Sequence, residues 1–152
     1  MSVFHTILVP LDGSALSDRV LDAALATAAW SGASLVLLHV EHEPASLAPV
    51  ASDLDLNVIE RRIDDLLAAA HERSGIPTPP RDRIRAEVRA GNVVDAIEAA
   101  VAEVHADLVV MGTHGRDGLV DNLLGSTTER ALRRVPASVF VVRPEGWPFL
   151  RE

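Results

Sequence analysis

Short apolar runs alternate along the chain with longer stretches of helical periodicity. Thr6-Ile-Leu-Val9 is a β-rich run ended by Pro10 and reads as a buried strand. The turn Leu11-Asp12-Gly13-Ser14 follows, and Ser14 or Ser17 can cap a helix on which Val20, Leu21, Ala24, Leu25, Ala28 and Ala29 share one face. Gly32 closes that helix, and Ser34 to Val40 is a second apolar strand. Glu41 to Ser52 is polar, contains proline and reads as a loop. The next helix runs from Asp53 to Ser74, with Leu56, Ile59, Ile63, Leu66, Leu67 and Ala70 recurring at helical spacing. Ile76 to Pro80 is a stiff connector. Ile84-Arg-Ala-Glu-Val88 alternates apolar and charged positions, as an edge strand with one wet face does.

The second half repeats the alternation. Asn92 can cap a helix that turns Val93, Val94, Ile97, Val101 and Val104 inward. Asp107 to Met111 is an apolar strand, Ser126 to Val135 a helix, and Ser138 to Val142 a last strand. The order is βαβαβαβαβ. Apolar strands alternating with helices, joined by right-handed crossovers, predict an α/β fold: a doubly wound, open, parallel five-stranded sheet with helices on both faces, Rossmann-like. No composition shift divides the chain, so residues 1–143 read as one domain and 144–152 as a tail carrying Trp147, Phe149 and Leu150.

Composition narrows the chemistry. A net charge of −8 argues against nucleic acid as a partner, because phosphate backbones call for basic patches. There is no cysteine, which excludes disulfides, thiolate catalysis and cysteine-based zinc sites. All 14 basic residues are arginine. Without lysine there is no Walker-A lysine and no Schiff base, so any bound phosphate rests on backbone N–H groups, hydroxyls, arginine or a metal. No apolar run is long enough to span a membrane and the N-terminus lacks the pattern of a signal peptide, so membrane insertion is not expected and a cytoplasmic location is.

In a doubly wound sheet, ligands bind beyond the carboxyl ends of the strands where the strand order reverses. If the first and fourth strands flank that reversal, two turns meet there, Pro10 to Ser14 and Met111 to Thr128. They are also the turns richest in Gly, Ser and Asp. Gly112, Gly115 and Gly125 would let backbone approach a ligand, and the N–H groups of Ser126, Thr127 and Thr128 would point at an anion. Bland readings stand beside these. Ser126-Thr-Thr-Glu129 fits a capping box, and Asp12 fits a turn-forming Asx residue with Ser14 as an N-cap. His39, His42 and His114 match no metal-binding spacing, and His39 reads as a core or strand-end residue. No G-x-S-x-G nucleophile elbow is present.

Gly112-x2-Gly115-x9-Gly125-Ser126 resembles the G-x2-G-x9-G-[S/T] pattern of ATP-binding universal stress proteins, an adenine-nucleotide α-hydrolase-like group. ILVPLDGS, LVLLHV, the GN…DAI helix start, DLVVMGTHGR and VFVVR extend the likeness over about residues 3 to 143. The resemblance implies binding of ATP or another adenine nucleotide with Mg2+ or Mn2+, and slow hydrolysis at most. Asp12, flanked by Pro10 and Leu11, would lie near ribose and phosphate and help hold the metal. The backbone of Val40 would meet adenine, and Met111 and Gly112 would line the ribose. Gly115, Arg116, Gly125, Ser126 and Thr127 would hold the phosphates. It also implies a homodimer paired through Ser138 to Val142. One departure, Ala137-Ser138 where many relatives have Cys-Pro, frees an N–H for edge pairing. The competing classes are a nucleotide-free interaction module of the same family and a dedicated ATP-consuming enzyme, for which 152 residues leave little room.

Overall fold

Each apolar run becomes a strand and each periodic stretch a helix. The computed structural model describes residues 2–41, 56–114 and 124–144, with backbone alone for 56–60. Its elements are β1 (Thr6–Pro10), α1 (Ala15–Ser31), β2 (Ser34–Glu41), α2 (Leu56–Ser74), β3 (Ile84–Ala90), α3 (Val93–Val104), β4 (Leu108–Gly112), α4 (Ser126–Arg134) and β5 (Ser138–Val142). A single 3-10 turn, Arg81–Arg83, leads into β3. The expected start of α2 at Asp53, most of the Glu41–Ser52 loop, Gly115, Arg116 and the tail residues Trp147, Phe149 and Leu150 lie outside the described residues.

The five strands form one sheet in the order β3-β2-β1-β4-β5, and every pairing is parallel. β1 is central and pairs with β4 through Ile7–Leu108 and Leu8–Val109. β3 is an edge, as its alternation predicted, though pairing continues two residues past Val88 to join Ala90 with Glu41. Pro10 is the last residue of β1 and pairs with Leu38 of β2.

Two apolar layers follow from the alternation of side chains across the sheet. One packs Ile7, Val9, Leu35 and Leu37 against Leu21 and Leu25 of α1 and Ile63 and Ala70 of α2. The other packs Leu8, Val36 and Val109 against Ile97 and Val101 of α3 and Ala131 of α4. Among the described residues, no helix is long and apolar enough to cross a membrane.

Two inward assignments fail. Leu66 is 39% exposed, because Ile63, Leu67 and Ala70 centre the buried stripe and Leu66 falls on its flank. Ala29 is likewise exposed, beside an equally exposed Trp30 on the outer side of α1. The cap of α3 is as expected: the Asn92 side chain accepts from Val94 N–H at 3.0 Å and Asp95 N–H at 3.1 Å.

The amino ends of three strands meet at Asp107. Its carboxylate accepts from His5 N–H at 2.8 Å and Thr6 N–H at 3.2 Å. Its own N–H donates to the Thr6 carbonyl at 3.1 Å, and its carbonyl accepts from Ser138 N–H at 3.2 Å. Burial raises the Asp107 pKa, but the hydrogen bonds from His5 and Thr6 outweigh it and hold the group below the ordinary carboxylate value. A lowered folded pKa gives stability that is present above the unfolded value of about 3.9 and is lost as pH falls through the folded one. Urea unfolding of wild type and Asp107→Asn should therefore show a wild-type advantage at neutral pH that shrinks in acid. An advantage independent of pH would mean that the charge plays no part.

Candidate functional site

The turn after β1 is built around one carboxylate. Asp12 Oδ1 accepts from Ser14 N–H at 2.9 Å and from the Ser17 hydroxyl at 3.0 Å. Ser17 Oγ also accepts from Gly13 N–H at 3.1 Å. This is an Asx turn closed by a serine one helical turn ahead. Ser14 occupies the N-cap position of α1 through its backbone, and its hydroxyl makes no capping bond. Partial burial raises the Asp12 pKa, but hydrogen bonds from Ser14 and Ser17 more than offset it. The group stays below its ordinary value and is ionised at neutral pH. The turn is fastened to β2: Leu11 N–H donates to the Leu38 carbonyl at 2.8 Å, and His39 Nδ1 lies 3.1 Å from the Leu11 carbonyl. Val40 is therefore near the same end of the sheet, and His39 is a strand-end residue.

The exit from β4 is tied on three sides. At Gly112, the last residue of the strand, an added Cβ would lie 2.6 Å from Leu16 Cδ2, so α1 and β4 come close enough there that Leu16 would have to shift to admit a side chain. Thr113 N–H donates to the Val142 carbonyl of β5 at 3.0 Å, and Gly125 N–H donates to the Thr113 carbonyl at 2.7 Å. A Cβ on Gly125 would lie 3.0 Å from that carbonyl oxygen and 3.3 Å from His114 Cα. Met111 is 5% exposed and its side chain belongs to the second core layer, which leaves only its backbone for a ligand.

The capping-box reading of Ser126 does not hold. The N-cap of α4 is Gly125 and Ser126 is the first helical residue. The chain enters the helix one residue earlier because the Gly125–Thr113 bond fixes Gly125 against the strand exit. Glu129 does not reach back; its carboxylate pairs with Arg133 at 2.8 Å, one turn on. The first internal bond of the helix runs from Glu129 N–H to the Gly125 carbonyl at 3.0 Å. The N–H groups of Ser126, Thr127 and Thr128 and the hydroxyls of Ser126 and Thr127 thus have no acceptor among the described residues. They stand at the positive end of the helix dipole.

Of the residues singled out in sequence, Pro10, Leu11, Asp12, Val40, Met111, Gly112, Gly125, Ser126 and Thr127 all lie at the carboxyl ends of strands or at the start of α4. Gly115 and Arg116 are outside the described residues. Among the described residues, no group of three or more His, Asp or Glu could hold a metal ion by itself. Among the described residues, Thr113 and Thr128 are the buried polar ones; the sequence points to Thr128 only for its backbone N–H, and does not single out Thr113. Nothing in spacing separates Thr128 from the exposed hydroxyl residues before it. Its burial goes with its hydroxyl's bond to the Gly112 carbonyl at 2.7 Å.

A sequence model described as the universal stress protein family matches residues 4–143. A universal stress protein of Thermus aquaticus is 32% identical over 93% of this chain and 100% of its own length. One from Mycobacterium tuberculosis is 32% identical over 93% of this chain and 98% of its own. Among solved structures, a universal stress protein in complex with cAMP superposes with a TM-score of 0.64 and 29% identity, covering 93% of this chain and 98% of that one. A universal stress protein from Lactobacillus plantarum, 23% identical, shares the fold with a TM-score of 0.69 over 94% of this chain and 100% of its own. The strand order, the paired turns at its reversal and the match across nearly the whole domain lead to one assignment: this chain belongs to the universal stress protein family.

Proposed function

We propose that this protein binds an adenine nucleotide, ATP with Mg2+ or Mn2+, at the strand-order reversal between β1 and β4, and acts as a cytoplasmic, nucleotide-dependent stress regulator. The observation that carries this reading is the start of α4. Three N–H groups and two hydroxyls there lack acceptors among the described residues, on a helix whose entry is a glycine pressed against the strand exit. That is the chemistry of an anion cradle in a chain with no lysine. Gly125, Ser126 and Thr127, with Gly115 and Arg116, would hold the phosphates. Pro10, Leu11, Val40, Met111 and Gly112 would border ribose and adenine. The relative solved with cAMP supports the adenine nucleotide class.

Asp12 would be the protein's ligand to the divalent cation, and phosphate oxygens would complete the coordination, as Mg2+ commonly accepts. When bound, the cation would neutralise phosphate charge. The same carboxylate makes a weak base, since its pKa is lowered by Ser14 and Ser17. The reading is therefore binding with slow hydrolysis at most.

The two sheet edges support a homodimer through β5. β3 carries Arg85, Glu87 and Arg89, charges that discourage edge pairing. β5 reads Ser138-Val-Phe-Val-Val142, with no charge or proline and with Phe140 49% exposed. A shallow apolar groove beside it is lined by Phe4, Ala26, Trp30 and Phe140, and would be covered in such a pairing.

The decisive measurement is nucleotide released on denaturing the purified protein, followed by titration with ATP and Mg2+, AMP and cAMP. Saturable ATP binding below millimolar is expected; its absence overturns the nucleotide reading and favours a module acting through protein contacts alone. Ser126→Ala should weaken ATP binding about tenfold, the worth of one hydrogen bond to a charged group. It should leave the melting temperature unchanged, because the hydroxyl supports nothing in the fold. Phe140→Glu should convert a sedimenting dimer to a monomer. A dimer that survives it would place the interface elsewhere.

A further inference from the structure

The start of α4 is held to the exit of β4 by two hydrogen bonds one helical turn apart. One is backbone, from Gly125 N–H to the Thr113 carbonyl at 2.7 Å. The other is a side chain, from the Thr128 hydroxyl to the Gly112 carbonyl, also at 2.7 Å. Thr128 is 2% exposed, and Ala131, one turn further on, is 0% exposed in the second core layer. Thr128 is thus the last polar contact before the helix becomes an apolar one. Gly112 is itself held in the sheet, paired with Val142 of β5.

We propose that Thr128 is the positioning residue of the anion cradle. Its hydroxyl fixes the separation between the α4 N-terminus and the end of β4, and with it the placement of the Ser126 and Thr127 N–H groups. The inference rests on the nucleotide reading for its functional consequence and on the Thr128–Gly112 bond for its structural one. The Gly125 bond fixes one point at the helix start; the Thr128 bond, one helical turn on, fixes the direction of its first turn. A helix start displaced by about 1 Å no longer presents its donors at hydrogen-bond distance to the same oxygen. The hydroxyl is also the only group of this side chain that can meet the Gly112 carbonyl. A valine keeps the volume and leaves that carbonyl without its donor.

The test compares Thr128→Val with Thr128→Ser, and adds Ile63→Val as a control. Ile63 is a buried α2 residue in the opposite core layer, where the loss of a methylene should also lower stability. Two quantities are read well below the melting temperature: the ATP dissociation constant and the hydrogen exchange of the Gly125 and Glu129 amides, which are hydrogen-bonded at the helix start. Thr128→Val should weaken ATP binding tenfold or more and speed exchange at those two amides relative to the β1 and β4 core. Thr128→Ser should restore both, and Ile63→Val should change neither. If Thr128→Val lowers stability like the control while affinity and local exchange stay as in wild type, Thr128 is a packing residue only and the proposal is overturned. Failure of the wild type to bind ATP would instead overturn the nucleotide reading, and the exchange measurement would still decide whether Thr128 positions the helix.

Discussion

The handedness of chain crossover between parallel strands is the constraint on which this structure depends. Each β-α-β unit must turn right-handedly to lay its helix back on the sheet. From β1 the chain steps one way to β2 and β3, and this puts α1 and α2 on one face. It then crosses to β4 and steps the other way to β5, which puts α3 and α4 on the opposite face. The helices leaving β1 and β4 therefore diverge to opposite sides. The loops that begin them cannot close over one another, and a crevice is left at the carboxyl ends of the two central strands. Asp12 and Gly125 are more than a hundred residues apart in sequence, and it is this topology, not a local preference, that puts both at the carboxyl side of the two central strands.

Around that crevice the polar atoms divide into two kinds. Those of Leu11, Thr113, Gly125 and Thr128 are spent on holding one turn to the next strand or helix. Those of Ser126 and Thr127 are not. Buried polar groups are almost always paired, so the first set reads as scaffold. Donors left over at an exposed helix start are paired by water or by a ligand. The division explains why two glycines stand here. Gly112 makes room for α1 and Gly125 for the strand exit, both in contacts within the chain. Their first duty is to let protein segments approach one another, and the proposed anion cradle would be a product of that approach.

The sheet was legible because its signal is redundant. Ile7 to Val9 and Leu108 to Met111 are apolar on both faces, and only a strand buried between two helical layers demands that. The edge character of β3 was legible from Arg85 and Glu87 for the converse reason. Helix faces were legible at their centres and not at their flanks: Ile63 and Leu67 are inside, whereas Leu66, just as apolar, lies where α2 turns toward water. The start of α4 was the hardest reading. Ser126, Thr127 and Thr128 are three consecutive hydroxyl residues with the same local propensities, yet they end exposed, half-buried and buried. Their fates are set by the Gly125–Thr113 contact, which joins residues on either side of a long loop and leaves no trace in the spacing of the residues themselves.

The far end of α4 is held as firmly as its start. Arg134 donates to Asp95 at 2.9 Å and also to Glu98, joining the last turn of α4 to α3. A nine-residue helix is too short to be stable alone in water. Fastened at both ends, this one is ordered before any anion arrives. An anion meeting it need not organise the helix, so none of its binding free energy is drawn off as the conformational entropy of folding a segment. Ordering that does accompany binding must fall elsewhere. A ligand that found α4 already in place would owe its selectivity to the groups it still has to gather, and discrimination between one adenylate and another would then reside away from the helix that gives the site its charge preference.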